Sequence, residues 1–278
     1  MTKTLLVSAT LWELEAFWDM RLSSSARASL TPILSDPLYM GHFTVDETLD
    51  CCITGVGVAS VLVNLAASPL ETYDWVLGVG FVGSYTEALA VGDVVQVCED
   101  AFADYGLEEE TGFVSLANTS FPSIMKGQVF CIASNKTSPL YPVVRSFTKS
   151  VATGNMTAPL GLVPQAYDVQ VESMESAAFA LLCSRRARAY TSLRVVSNYV
   201  RPGAAWDVAL AKARLAQAIG EVLAPDGRGR TARGSEGVGE ARYGGYGVEF
   251  SALMEVCAIY VVEKPHGYGG KKTNNYSL

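Results

Sequence analysis

Histidine is nearly missing from this chain: only His42 and His266 occur in 278 residues. That supply argues against a Ser-His-Asp triad or a histidine-rich zinc site, so no metal is implied and acid–base chemistry falls to carboxylates, amides or water. Positive charge is also short, with 21 Lys and Arg against 28 Asp and Glu and a net charge of -7. Non-specific nucleic-acid binders need clustered basic residues to replace counterions, so a small or neutral partner fits better. The six cysteines (51, 52, 98, 131, 183 and 257) form no C-x-x-C pair and sit mostly in apolar runs, which suits a reducing compartment. No long hydrophobic run exists either. The longest uncharged stretch, residues 51–70, is broken by Gly55, Gly57, Asn64 and Pro69 and reads as strand, turn and helix rather than a membrane span. The apolar run behind Lys3 meets Glu13 and Glu15 at once and has no small-residue cleavage site, so a cytoplasmic protein is expected.

What is present is the composition of a globular protein, 49% hydrophobic and 18% charged. Residues 4–9 read as a buried strand. Residues 11–20 carry Leu11, Leu14, Phe17 and Trp18 at helical spacing, with Glu13 and Glu15 off that stripe. Glu13 therefore falls at the carboxyl end of a strand, where open α/β sheets bind ligands, though a solvated first-turn glutamate fits as well. Residues 23–37 read as an irregular connection, 39–45 and 49–54 as paired strands, and 58–67 as a helix opened by Thr54-Gly55-Val56-Gly57. Such a turn lets backbone approach a ligand, and the helix start favours anions or polar oxygens. Residues 75–79 form a strand ending in Gly80-Phe81-Val82-Gly83-Ser84, read as a sharp turn that holds N–H groups or the Phe81 ring against a cleft. Gly92-Asp93 then turns into a strand over 94–97.

From 101 to 141 the chain is polar and punctuated by Gly and Pro. A strand is expected at 128–133, a helix starting over 142–147, a strand and turn at 151–155, and a loop at 156–164. Extended chain at 167–171 then runs into a helix at 177–183. A strand over 193–200 and a helix over 208–223 complete an alternation that argues for an α/β fold, a three-layer α/β/α domain with a central mixed sheet over residues 1–224. Residues 225–278 differ: they hold 11 of the 25 glycines, with 7 basic and 6 acidic residues against 14 and 22 before them. A poorly ordered tail is expected there, with one strand or helix over 250–262.

The junction Val171-Glu172-Ser173-Met174-Glu175-Ser176 places a carboxylate and a methionine between strand and helix. A carboxylate there can accept two hydrogen bonds from a ribose diol while methionine walls the sugar, and the same acids also suit a helix start. Taken in order, Ser8-Ala9-Thr10-x-x-Glu13, Thr54-Gly55-Val56-Gly57, Gly80-Phe81-Val82-Gly83-Ser84, Val91-Gly92-Asp93, Ser173-Met174-Glu175 and Arg194-Val195-Val196-Ser197-Asn198 resemble the nucleoside phosphorylase and nucleosidase superfamily. The likeness spans residues 4–223 and lies nearest the hydrolase branch, with methylthioadenosine/adenosylhomocysteine nucleosidases and futalosine hydrolases.

The resemblance implies a nucleoside phosphorylase-like fold, no cofactor, a small purine nucleoside as partner, no nucleic acid or membrane, and a homodimer. It assigns Met174 and Glu175 to the ribose hydroxyls and Glu13 to the attacking water. Gly80 and Phe81 would line the substrate, Arg194 and Ser197 would support the site, and Trp206 would cover the ligand. Asn198 departs from the adenine-specific nucleosidases, which carry aspartate at that place. A 6-oxopurine presents two acceptors, N7 and O6, and only the NH₂ of an asparagine can donate to both. That reading implies hypoxanthine, the base of futalosine, and with it menaquinone biosynthesis by the futalosine route. An adenine-type nucleosidase, a phosphorylase for inosine and a non-catalytic nucleoside-binding protein remain the alternatives.

Overall fold

The computed structural model describes residues 2–110, 112–125, 127–136, 138–153, 161–186 and 189–224. The expected tail at 225–278, with its segment 250–262, lies outside the described residues, as do 154–160 of the expected turn and loop. In chain order the elements are β1 (Thr4–Ser8), α1 (Glu15–Arg21), α2 (Ser24–Leu34), β2 (Gly41–Asp46), β3 (Leu49–Ile53), α3 (Val58–Ala66), β4 (Trp75–Ser84), β5 (Val94–Phe102), β6 (Gly106–Glu109), β7 (Gly112–Ser115), β8 (Cys131–Ile132), β9 (Val143–Thr148), β10 (Val171–Ser173), α4 (Ser176–Arg186), β11 (Tyr190–Tyr199) and α5 (Val208–Leu223).

The β1, β3 and β4 segments are short apolar runs, and they pair in parallel with β1 between the other two. Strands buried on both faces need such runs, and helices must then cover each face. One face carries Leu5, Val7, Val76 and Val82 against α3 and α4; the other carries Leu6, Leu77, Val79 and Leu193 against α1 and α5. This is the expected three-layer α/β/α arrangement around a mixed sheet. The sheet order is β10-β9-β5-β11-β4-β1-β3-β2, with β8 on β5 and β6–β7 as a separate hairpin. Its far end also folds back: β10 pairs in parallel with β9 and antiparallel with β4. Strands β4, β11, β5, β9 and β10 thus close into a ring, which brings residues distant in sequence to one mouth.

Several local expectations change. Residues 24–34 form helix α2, started by Ser23, whose hydroxyl accepts the Ala26 amide at 3.3 Å. Pro32 lies in its last turn. The 142–147 segment is strand β9, because its β-branched and aromatic residues fill the gap between β5 and β10. Residues 80–84 continue β4 without a turn. The strand expected at 128–133 shrinks to β8, no strand occurs at 151–153, and α1 begins only at Glu15. At 164–167 the chain makes a 3₁₀ turn ended by Asp168 in the left-handed conformation (φ 51°) before β10 starts.

The glycines of β4 make room for neighbours. A Cβ on Gly78 would fall 2.7 Å from the Phe179 Cζ atom, in a ring only 1% exposed. Beneath the ring mouth runs a polar seam. Asp100 of β5 is fully buried; its Oδ1 accepts from Thr148 Oγ1 at 3.0 Å, and its Oδ2 has no partner of good geometry. Burial pushes its carboxyl up to about 7, against the pull of the Ser146 and Thr148 hydroxyls and the Arg194 charge.

Gly78→Ala should cost about 1–3 kcal/mol, since the buried ring cannot step aside. A denaturation midpoint lowered at unchanged slope would register it, whereas a loss below about 0.5 kcal/mol would mean the ring has space. Asp100 makes a pH prediction. Its folded value of about 7 stands above the ordinary 3.8, so the folded state binds the proton more tightly. Its contribution is fully present below pH ~4 and is lost as pH rises through ~7, by about 4 kcal/mol at most. Unfolding of wild type and Asp100→Asn between pH 4 and 8 checks this; equal slopes in the two proteins would refute it.

Candidate active site

The chain between β1 and α1 is built as a capping box. The Thr10 hydroxyl accepts the Glu13 amide at 3.2 Å, and Glu13 Oε2 accepts the Thr10 amide at 3.1 Å, the Thr-x-x-Glu pattern that closes a helix start. Ser8 adds its hydroxyl to Oε2 at 3.1 Å. Only Oε1 is left for other work. It accepts the Phe81 amide of β4 at 3.1 Å and faces Gly80. Glu13 is partly exposed, so water reaches it.

Across Gly80 stands Arg194 of β11, its register partner. A Cβ on Gly80 would lie 2.5 Å from an Arg194 guanidinium nitrogen and 3.0 Å from Glu13 Oε1, so glycine is required for space; its backbone is merely extended. Arg194 is 3% exposed. Burial lowers its pKa, while the charges of Glu175, Glu13 and Asp100 hold the proton on. Glu175 sits at the turn from β10 into α4. Its Oε1 accepts the Gly57 amide at 2.9 Å, and its Oε2 accepts the Met174 amide at 3.3 Å. Its pKa is raised, first by burial and further by Glu13, against the opposing pull of Arg194 and the two amides. A narrow crevice lined by Ser8, Thr54, Gly78, Glu175, Phe179 and Arg194 runs beneath this group.

Asn198 is the penultimate residue of β11, opposite Gly83 and after a bulge at Ser197. The Ser197 hydroxyl lies 2.9 Å from Asn198 Oδ1, and Asn198 Nδ2 donates to the Tyr199 carbonyl at 3.2 Å. Because a carbonyl only accepts, that contact fixes which way the amide is turned. A Cβ on Gly83 would lie 3.4 Å from Nδ2 and 3.6 Å from Glu172 Cγ. Phe81, whose amide holds Glu13, and Gly83, which makes room for Asn198, are two residues apart on β4, about 7 Å along the strand.

Glu13, Gly80, Arg194 and Glu175 thus converge, while Ser197 and Asn198 lie further along β11, with Asn198 opposite Gly83. Met174 is half-buried beside Glu175. The Phe81 ring meets Trp12 edge-on at 5.9 Å, so Phe81 serves the cluster through its backbone amide. Trp206 stands 57% exposed before α5; its neighbour Asp207 ties the loop to the Ser197 carbonyl at 2.9 Å, but no contact places the indole on the cluster.

Two acids were given no site role by the sequence reading, although Glu172 stood in the junction it singled out. Glu172 is buried and accepts Tyr85 Oη at 2.5 Å, the Thr153 amide at 2.8 Å and the Thr153 hydroxyl at 2.7 Å. The Tyr85 pKa is raised by burial and by Glu172, so it remains a donor. Asp100 was the other; it lies in an alternating strand and carried no motif. The described residues hold no group of His, Cys, Asp and Glu able to bind a metal, and no helix among them is long and apolar enough to cross a membrane. Cys51, Cys52, Cys98, Cys131 and Cys183 are free thiols.

The model of the phosphorylase superfamily matches residues 7–224. Futalosine hydrolase of Thermus thermophilus is 30% identical over 193 residues, covering 64% of this chain and 82% of that protein. Among solved structures, the fold is similar to the methylthioadenosine/S-adenosylhomocysteine nucleosidase of Neisseria meningitidis in complex with methylthio-immucillin-A (TM-score 0.56, 15% identity, 80% of this chain and 98% of that one). Native futalosine hydrolase of Helicobacter pylori is similar as well (TM-score 0.54, 11% identity, 78% and 95%). With the family match spanning the whole ring and both helix layers, the chain belongs to the phosphorylase superfamily.

Proposed function

We propose that this chain hydrolyses the N-glycosidic bond of futalosine, releasing hypoxanthine and dehypoxanthine futalosine. Family membership and the futalosine hydrolase likeness support the coarser reading, a purine-nucleosidase type of N-glycosidic hydrolase. The finer one rests on a single observation: a side-chain amide at Asn198 and a carboxylate at Glu13 face the end of the same strand. Breaking the bond builds positive charge on the sugar and negative charge on the departing purine, so the site must steady the base and place a water at C1′. In this reading Glu13 Oε1, with one donor already bound, orients the water and accepts its proton. Asn198 donates to N7 and O6. Glu175 keeps lone pairs for the ribose hydroxyls beyond its two backbone amides, with Met174 as the apolar wall. A homodimer belongs to the same reading.

Water is favoured over phosphate by electrostatics. An anion would seek the start of α3 and the Arg194 charge. The Gly57 amide is already given to Glu175, and Glu13, Glu175 and Asp100 surround Arg194. An incoming phosphate dianion meets those carboxyl groups rather than an open cation.

Futalosine incubated with the protein in phosphate-free buffer should release hypoxanthine, and added phosphate should not accelerate it. Asn198→Ala should lower kcat by about 10²- to 10³-fold, the usual cost of one donor to a developing anion. Strict phosphate dependence, or full turnover by the variant, would defeat the assignment. Asn198→Asp should shift the ratio of kcat/KM away from hypoxanthine nucleosides and toward adenine ones. Side-by-side kinetics on the two substrate types measure it, and an unchanged ratio counts against the two-donor argument.

A further inference from the structure

We propose that Asp100 is a positioning residue for the ribose clamp: through the Thr148 hydroxyl it fixes the turn that carries Glu175 from β10 into α4. This rests on Glu175 being the group that binds the ribose hydroxyls. Thr148 Oγ1 accepts the Ala177 amide at 2.8 Å, so its own proton must go elsewhere, and Asp100 Oδ1 takes it at 3.0 Å. Ser173 Oγ lies 3.2 Å from the same hydroxyl, accepts the Ser176 amide at 3.1 Å and donates to Ser176 Oγ at 2.9 Å. The Ser173 carbonyl accepts the Lys149 amide at 3.0 Å. Residues 173, 176 and 177 are therefore all pinned, and Glu175 lies between the pins.

A buried hydroxyl that accepts from a backbone amide must point its proton at a definite acceptor, or the amide bond loses its geometry. Asp100 is that acceptor, and it comes from β5, which pairs directly with β9 and sets Asp100 opposite Ser146. Around its carboxyl group stand Arg194 from β11, Cys131 from β8, Tyr85 beyond β4, and Glu175 and Glu13 across Arg194. Ionising Asp100 puts a further negative charge on the guanidinium that Glu13 and Glu175 share. The clamp thereby senses the protonation of a group that substrate never touches, with a transition near neutral pH.

The test compares futalosine with its 2′-deoxy analogue. Asp100→Ala and Thr148→Val should each raise KM for futalosine by ~10-fold, with kcat within ~3-fold and KM for the deoxy analogue within ~3-fold, as expected when one binding hydrogen bond is misaimed. The double variant should be no worse than either single one, because both remove the same link. Asp100→Asn keeps an acceptor for Thr148 and should restore KM to within ~3-fold of wild type, yet lose the inflection of KM near pH 7. Thr148→Ser should restore KM as well. In the ligand-free protein, exchange of the Ala177 amide should quicken in Asp100→Ala and Thr148→Val but not in Asp100→Asn, a readout that needs no turnover and survives if futalosine is not the substrate. KM values for the two nucleosides rising together, additive effects in the double variant, or an Asp100→Asn protein as impaired as Asp100→Ala would overturn the proposal. Glu175→Gln separates the two failures. If it leaves the riboside-to-deoxyriboside ratio intact, the clamp reading itself falls and takes this proposal with it. If it abolishes that ratio while Asp100→Ala and Thr148→Val preserve it, only the positioning role falls.

Discussion

The Arg194 guanidinium, buried in the ring of strands within the field of Glu13, Glu175 and Asp100, is the group on which the site depends. A cation taken out of water needs compensating charge nearby; these carboxyl groups supply it through their field, and the guanidinium Nε donates to Ser192 Oγ at 3.2 Å. The carboxyl groups come from the β1–α1 turn, the β10–α4 turn and strand β5. One buried charge thereby feels carboxyl groups from three separate segments. Gly80 is the condition for it, since any side chain there would occupy the place of the guanidinium.

Ring closure supplies the rest. Strand β10 is only three residues long, yet it pairs with β9 on one side and β4 on the other. That double pairing buries Asp100, Thr148 and Ser173 under the mouth and brings Glu172 beside Gly83. The same closure explains why the polar groups are mutually satisfied: the hydroxyls of Thr148 and Ser173 take up the amides that open α4, and the Ser176 hydroxyl accepts from Ser173.

How much of this was legible in the sequence depended on how local the cause was. Helix α5 was read at 208–223 because Ala211, Leu215, Ala218, Ile219 and Val222 repeat at helical spacing, and the structure has it at Val208–Leu223. Strand β1 was legible because an apolar run acts within a few residues, whereas the capping box of Thr10 and Glu13 was not read and the helix was expected too early. Residues 80–84 misled, since glycines that make room for Arg194, Val200 and Asn198 look in sequence like glycines of a turn. Strand β9 was misassigned because its place is fixed by β5 and β10, not by its own pattern. Asp100 could not be found at all. Its burial follows from ring closure, and the second of two adjacent acids in Val-Cys-Glu-Asp-Ala reads as a solvent-facing residue.

The carboxamide of Asn198 carries a condition of its own. It has two N–H groups, and one of them already donates to the Tyr199 carbonyl at 3.2 Å, a long contact for this bond type. A base with acceptors at both N7 and O6 can take both donors only if that contact is surrendered. The exchange costs little because a backbone carbonyl at the edge of a cleft can turn to water, and the Ser197 hydroxyl holds Oδ1 throughout. A base with an amino group at C6 presents one acceptor and one donor, which an amide matches only by offering Oδ1 as well as Nδ2; with Oδ1 turned to the Ser197 hydroxyl at 2.9 Å, the amino group meets a donor. In the proposed reading, discrimination by Asn198 would come less from the strength of the bonds it gains than from the donor it would leave unpaired in the wrong complex.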